Sequence, residues 1–138
     1  MTTKLMKAIG FFEYGGPVVL RFVDVPRSVP RPHDVVVRVK AVSVNPIDAK
    51  VRRGLRDGAD KVAGCPIVIG WDAAGIVDEV GSEARRFRVG DEVYLSGNIT
   101  RPGSYAEYVA CDERIVGRKP KMLSFEKASA TPLAAITA

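Results

Sequence analysis

The chain has 138 residues, of which 46% are hydrophobic and 27% are charged, and its net charge is +5. This length and composition are typical of one globular domain with its own core and argue against disorder. No apolar run approaches the roughly 20 residues that span a bilayer, and no secretory signal is recognisable at the N-terminus. We therefore expect a cytoplasmic protein with no membrane partner.

The excess of positive charge has two explanations. Basic residues fall in scattered groups around Arg52, Arg86 and Arg118, and most have acidic residues nearby. No aromatic residues alternate with them, as stacking platforms for nucleic acid would. We favour a solvated surface and no nucleic-acid partner, with a small basic β-barrel that binds nucleic acid or protein as the alternative. Cys65 and Cys111 form no CxxC motif and are expected to be reduced thiols.

Short apolar runs separated by Gly, Pro and Asp predict a mainly β fold with a few short helices. Residues 7–12 and 18–25 are predicted to form a hairpin. Residues 34–44 give the strongest strand pattern, and a change in its alternation predicts a bulge or bend near Ala41. Residues 47–53 then favour a short helix that stops at Gly54.

The central part of the chain alternates between strand patterns and loops. A mobile loop is predicted over residues 54–65 and a second loop over 97–103. Strands are predicted between and after them. They cover residues 73–80, the segment after the turn at Gly90-Asp91, residues 104–111, and 115–116.

The last residues have helical character. Ser124 is a predicted N-cap, and Thr131-Pro132 is a second predicted helix start. Residues 133–138 supply barely two helical turns, which are marginal alone, so we expect the natural protein to continue. We divide the chain into a domain over residues 1–123 and a connecting helical segment over 124–138.

Four segments occur in an order that resembles a known family. They are VNPID at 44–48 with RG at 53–54, IGWDAAGIV at 69–77, VGDEV at 89–93 and GSYAEY at 103–108. Together they resemble the N-terminal, GroES-like domain of the medium-chain dehydrogenase/reductase superfamily, in particular its quinone oxidoreductases and zinc-type alcohol dehydrogenase-like proteins. The resemblance implies a partly open β-barrel. It also implies a nucleotide-binding Rossmann domain. Because no glycine-rich phosphate loop follows a strand in this sequence, we expect that domain after residue 138.

The zinc-binding pattern of that superfamily is not present. Zinc-dependent members have a Cys at the position matched by Asn45 and a His-Glu pair at the positions matched by Trp71-Asp72. An amide oxygen is a poor zinc ligand, and an indole is none. The four closely spaced cysteines of the structural zinc loop are also missing, and the only histidine, His33, is expected at the surface. We predict a protein without zinc.

The resemblance then implies hydride transfer from NADPH or NADH to a quinone or a conjugated enone. Comparison of these motifs with those of the family implies roles for single residues. Asn45 becomes a candidate catalytic and cofactor-binding residue, Trp71 a candidate catalytic residue that forms a wall of the substrate pocket, and Tyr94 a candidate catalytic residue. Thr137 matches a position near the nicotinamide. Asn45 as a plain turn residue and Trp71 as a plain core residue stay open, and a structural role is favoured for Asp48. A homodimer is compatible with the family, and the isolated chain is expected to be inactive.

Overall fold

The computed structural model describes residues 3–55 and 64–138, which fold into eight strands and three short helices. The loop predicted over residues 54–65 falls mostly outside the described residues. The helices are α1 (Pro46–Arg52), α2 (Phe125–Ser129) and α3 (Pro132–Thr137). The strands are β1 (Leu5–Phe11), β2 (Arg21–Pro26), β3 (Asp34–Ser43), β4 (Ile67–Val68), β5 (Asp72–Val80), β6 (Glu92–Ser96), β7 (Tyr108–Asp112) and β8 (Val116–Arg118). The mainly β class predicted from the sequence is confirmed.

The strands form two antiparallel sheets. The larger has the order β7-β3-β5-β6-β8, and the smaller has the order β2-β1-β4. An isolated bridge between Ala8 and Ala106 joins them, and the Ile9 amide donates to the Tyr105 carbonyl at 2.7 Å. The sheets therefore curl towards each other into a partly open barrel. No helix within the described residues is long and apolar enough to cross a membrane.

Most predicted elements are confirmed, but their ends shift, and the strand predicted over residues 104–111 begins only at Tyr108. The hairpin pairs β1 with β2, although a 3-10 turn at Pro17–Val19 occupies the predicted start of the second strand. The last strand begins at Val116, because Ile115 belongs to a 3-10 turn.

β3 bends where its hydrophobic alternation changes. Its pairing with β5 shifts register between Val39 and Ala41, so the predicted bulge near Ala41 is confirmed. A bulge adds one unpaired residue and reorients the strand beyond it. The bend therefore sets the positions of Ser43, at the end of β3, and of Asn45, two residues later.

Two hydrophobic clusters fill the molecule. The first lies against the larger sheet and consists of Val35, Val37, Ala73, Val77, Phe87, Val93, Leu95, Val109, Cys111 and Val116. The second joins β1, α1 and β4 and consists of Phe11, Val51, Ile67, Ile69 and Trp71. Because α1 buries Val51 in the second cluster, its N-terminus is held beside the start of β5.

Both C-terminal helices begin at the predicted positions. Ser124 caps α2, since its hydroxyl accepts a hydrogen bond from the Lys127 amide at 3.2 Å. The second start is confirmed, because α3 begins at Pro132 with Thr131 at the N-cap position. The Thr131 side chain makes no capping hydrogen bond, because its backbone is helical (φ −95°, ψ −43°) and its hydroxyl donates to the Lys127 carbonyl. The chain thus passes from α2 to α3 in a helical conformation.

Gly75 in β5 allows the close approach of β3. A Cβ at this position would lie 2.1 Å from the Arg38 carbonyl oxygen. We expect Gly75→Ala to lower the free energy of unfolding by about 3 kcal/mol or more, because backbone has to move. Urea denaturation of the chain measures this loss. Gly16→Ala is the matched control, since a Cβ at Gly16 meets nothing within 4 Å, and equal stability of the two variants would contradict the prediction.

Candidate active site

A cleft of about 710 Å³ opens between α1, the start of β5, the loop after β6, and α3. Its volume is in the range of small-molecule sites. Three of the predicted site residues line it together: Asn45, Trp71 and Thr137. The other lining residues are Pro46, Ile47, Lys50, Ser96, Gly97, Asn98, Ile99, Leu133 and Ala134.

Asn45 precedes α1 and forms a capping box with Asp48, in which each side chain faces the backbone amide of the other residue. The Asp48 carboxylate accepts a hydrogen bond from the Asn45 amide at 3.0 Å, and the Asp48 amide donates to the Asn45 backbone carbonyl at 3.0 Å. The side-chain nitrogen of Asn45 is left for other partners. Its Nδ2 donates to Asp72 Oδ2 at 3.0 Å and to Ser43 Oγ at 3.2 Å.

Asp72 is the fully buried carboxylate at the start of β5. Its Oδ2 accepts from the Ser43 hydroxyl at 2.9 Å as well as from Asn45, and its Oδ1 accepts from the Leu133 amide at 2.9 Å. Asp72 thus ties the end of β3 and the start of α1 to the first turn of α3. Sequence reasoning matched Asp72 to the Glu of the zinc pattern but assigned it no role. Its signal was a carboxylate directly before the apolar run of residues 73–77.

The contact with Asp72 fixes the orientation of the Asn45 amide. An ionised carboxylate only accepts hydrogen bonds, so the amide nitrogen has to face Asp72. Asn45 therefore has no amide hydrogen left to donate to a ligand. Its Oδ1 faces the Asp48 amide in a capping box and keeps a second lone pair with which it can accept a hydrogen bond from a ligand.

Trp71 is both a core residue and a residue of the cleft wall, the two possibilities that stayed open from the sequence. The side chain belongs to the second hydrophobic cluster and is only 4% exposed, yet it also lines the cleft. Its indole nitrogen lies 3.5 Å from the Arg101 carbonyl oxygen, at the long limit of a hydrogen bond. The indole thus contributes to the wall of the cleft with the small part of its surface that is exposed.

The loop between β6 and β7 is anchored by a buried ion pair. The Arg101 guanidinium donates to Asp34 Oδ1 at 3.0 Å and to Oδ2 at 2.5 Å, a bidentate geometry. Burial alone would raise the pKa of Asp34, but the hydrogen bonds from Arg101 and from the Arg31 amide outweigh it and lower the pKa. This pair holds the loop that carries Asn98 and Ile99 into the cleft. Sequence reasoning missed it, because the partners are 67 residues apart.

Asp48 has the structural environment that was favoured for it. It is 2% exposed, and its Oδ2 accepts from the Tyr105 hydroxyl at 2.6 Å. Desolvation raises its pKa, the nearby Asp72 charge adds to this, and the hydrogen bonds from Tyr105 and Asn45 offset part of it. These contacts fix α1 against the segment before β7 that contains Tyr105.

Tyr94 and Thr137 have different relations to the cleft. Thr137 lines it, with its hydroxyl donating to the Leu133 carbonyl at 2.9 Å. Tyr94 instead lines a groove of about 210 Å³ with Thr131 and Ile136. Tyr94 shares a face of β6 with Ser96, but two residues of strand place it about 7 Å further along, away from Asn45. The structure thus brings Tyr94 to α3 and not into the cleft.

The donor atoms at the cleft do not fit a zinc ion. The Asn45 nitrogen faces Asp72, and the Trp71 indole has no free lone pair to donate. Within residues 3–55 and 64–138 no group of three His, Cys, Asp or Glu residues is placed to hold a metal ion. His33 is exposed and lies 3.2 Å from Glu83, so its predicted surface position is confirmed.

A model of the alcohol dehydrogenase GroES-like domain matches residues 31–121 of the chain. The chain belongs to this family. The GroES-like fold predicted from the four sequence segments is thereby confirmed, and so is the relation to the quinone oxidoreductases and zinc-type alcohol dehydrogenase-like proteins.

This GroES-like domain is similar to parts of longer proteins. The human quinone oxidoreductase is 35% identical over 136 residues, which cover 98% of the chain and 40% of that protein. The NADPH-dependent alkenal/one oxidoreductase of Arabidopsis thaliana is 38% identical, over 98% of the chain and 36% of its own length. The structure of the Coxiella burnetii quinone oxidoreductase superposes with a TM-score of 0.86 and 36% identity, over 97% of the chain and 43% of that protein.

The Arg101–Asp34 pair predicts a pH-dependent stability. Because the pKa of Asp34 is lower in the folded than in the unfolded chain, its contribution is complete above about pH 4 and is lost as the pH falls through the folded pKa. At pH 7 we expect Asp34→Asn to cost about 3 kcal/mol, since it leaves the buried Arg101 unpaired. Urea denaturation at several pH values measures the free energy of unfolding of the unmodified chain and of Asp34→Asn. The difference between these two free energies should become smaller below pH 4.

Asp24→Asn is the control for this experiment, because the Asp24–Lys7 pair is exposed and should contribute less than about 1 kcal/mol. A destabilisation by Asp34→Asn that is the same at pH 7 and pH 3 would show that the pair does not act through the ionisation of Asp34.

Proposed function

We propose that this GroES-like domain is the substrate-side part of an NAD(P)H-dependent oxidoreductase that transfers hydride to a quinone or conjugated enone without zinc. The observation that carries the proposal is that Asn45 and Trp71 together line the cleft between α1 and α3. These two residues stand where the motif comparison puts the zinc ligands of zinc-dependent relatives. Quinone and alkenal/one oxidoreductases among the relatives support the same substrate class.

The chemistry of these substrates explains why a metal ion is not needed. Zinc polarises a simple carbonyl as a Lewis acid. A quinone or conjugated enone spreads the incoming negative charge over a larger π-system, so neutral and cationic hydrogen-bond donors can stabilise it. Flat substrates of this kind pack well against the Trp71 ring.

Some side chains of the cleft can contact the ligands, and another holds these side chains in position. A nicotinamide cofactor supplies the hydride when it is bound. Asn45 offers its Oδ1 as an acceptor, and Thr137 keeps lone pairs for a further hydrogen bond. Asp72 holds Asn45 and α3 in place, so both walls of the cleft are preorganised.

We propose that residues 1–123 form the substrate-side domain and that residues 124–138 connect it to a nucleotide-binding Rossmann domain. The relatives are more than twice as long as the chain, which leaves room for such a domain. The isolated chain should then bind NADPH weakly and be inactive.

A basic module that binds nucleic acid receives no support from the structure. The guanidinium of Arg118 lies 5.1 Å from the centre of the Phe87 ring. Phe87 is 5% exposed and belongs to the core, so it cannot act as a stacking platform.

The proposal predicts reduction of benzoquinone or cyclohexenone by NADPH or NADH in the protein that joins this domain to its nucleotide-binding domain. Dialysis against a chelator should leave the rate unchanged. Trp71→Ala should lower kcat/KM at least about tenfold through loss of the flat wall, and Trp71→Phe should lower it less. Steady-state kinetics, with the oxidation of NADPH or NADH followed by absorbance, measures the effect of the chelator and of the Trp71 variants.

The surface variant His33→Gln controls for unspecific effects, because His33 is exposed and does not line the cleft. Loss of the rate on chelation, with recovery on adding zinc, would contradict the proposal.

A further inference from the structure

Two asparagine side chains line the cleft, and internal hydrogen bonds orient them in opposite ways. Asn98 Oδ1 accepts from the Thr100 amide at 2.9 Å and from the Thr100 hydroxyl at 2.7 Å. A backbone N–H can only donate, so the Asn98 oxygen has to face Thr100. Asn98 Nδ2 has no hydrogen-bond acceptor among the described residues and is free to donate to a ligand.

Asn45 has the reverse arrangement. Its Nδ2 donates to Ser43 and Asp72, so the carbonyl oxygen is the group left for a ligand. The cleft therefore has an acceptor beside α1 and a donor on the loop after β6. Exchange of the two orientations would break three or more hydrogen bonds, because both amides are held by partners of fixed polarity.

Lys50 adds positive charge to this cleft. Among the described residues that line it, Lys50 is the charged one, and it has no ion pair with any described acidic side chain. Its ammonium group carries three donors and no acceptor. Lys50 is exposed, so its long side chain can adjust to a bound ligand.

We propose that Asn98 Nδ2 and Lys50 Nζ bind the carbonyl oxygen of the substrate, and that Asn45 accepts from an N–H or O–H group of the ligands. The inference rests on the proposed function. When hydride adds to the β carbon of an enone, the electron pair of the C=C bond forms a new double bond to the carbonyl carbon, and the π pair of the C=O bond moves onto the oxygen. The resulting enolate later takes a proton from water. Donors aimed at that oxygen stabilise the charge that develops on it.

Asn98→Asp tests the donor directly in the protein that joins this domain to its nucleotide-binding domain. The substitution keeps an oxygen facing Thr100 but replaces the NH₂ group by an oxygen that repels the developing charge. We expect kcat/KM for benzoquinone and cyclohexenone to fall about tenfold to a hundredfold, with the KM for NADPH changed less than about twofold. Lys50→Met should act in the same direction, and Lys50→Arg should retain most of the activity.

Lys40→Met is the matched control, because Lys40 is an exposed lysine on β3 that does not line the cleft. Thermal unfolding of each variant identifies any that fails to fold. Wild-type protein that reduces neither substrate would overturn the proposed function and the inference together. Wild-type activity with an unchanged kcat/KM in folded Asn98→Asp and Lys50→Met variants would overturn the inference alone.

Discussion

The arrangement of the cleft depends on one buried carboxylate, Asp72. Its two oxygens accept hydrogen bonds from Ser43, Asn45 and Leu133, which belong to three separate parts of the chain. A fully buried carboxylate is costly unless such donors replace its lost water. These donors stabilise the buried Asp72 carboxylate. The same hydrogen bonds fix the end of β3 and the start of α3 in place. Both walls of the cleft are thereby positioned by one side chain.

The third wall has its own anchor. The loop after β6 carries Asn98 into the cleft, and the buried pair of Arg101 and Asp34 holds that loop to the larger sheet. Buried ion pairs often add little net stability, but they specify geometry strongly when both partners are fully hydrogen-bonded. The local hydrogen bonds from Thr100 then orient the Asn98 amide. Long-range and local polar contacts together set the pattern of donors and acceptors.

Local patterns in the sequence predicted much of the fold. The bulge in β3 near Ala41 and the cap at Ser124 follow from residues close together in the chain. The helix start at Pro132 was also predicted, but the Thr131 hydroxyl bonds the preceding helical turn instead of capping α3. The Asp72 network was not predictable in this way, since Leu133 is 61 residues away. Asn45 and Thr137, chosen by comparison with the family motifs, line one cleft, whereas Tyr94 lines another groove.

Asp72 fixes the Asn45 amide with its nitrogen turned away from the ligand. Hydrogen exchange of the side-chain NH₂ groups in ¹⁵N-labelled chain, followed by NMR, measures how firmly that nitrogen is held. Both Asn45 hydrogens are engaged by Ser43 and Asp72, so they should exchange more slowly than those of Asn98. Asp72→Asn should abolish the difference. Equally fast exchange of the two amides in the unmodified chain would contradict the account.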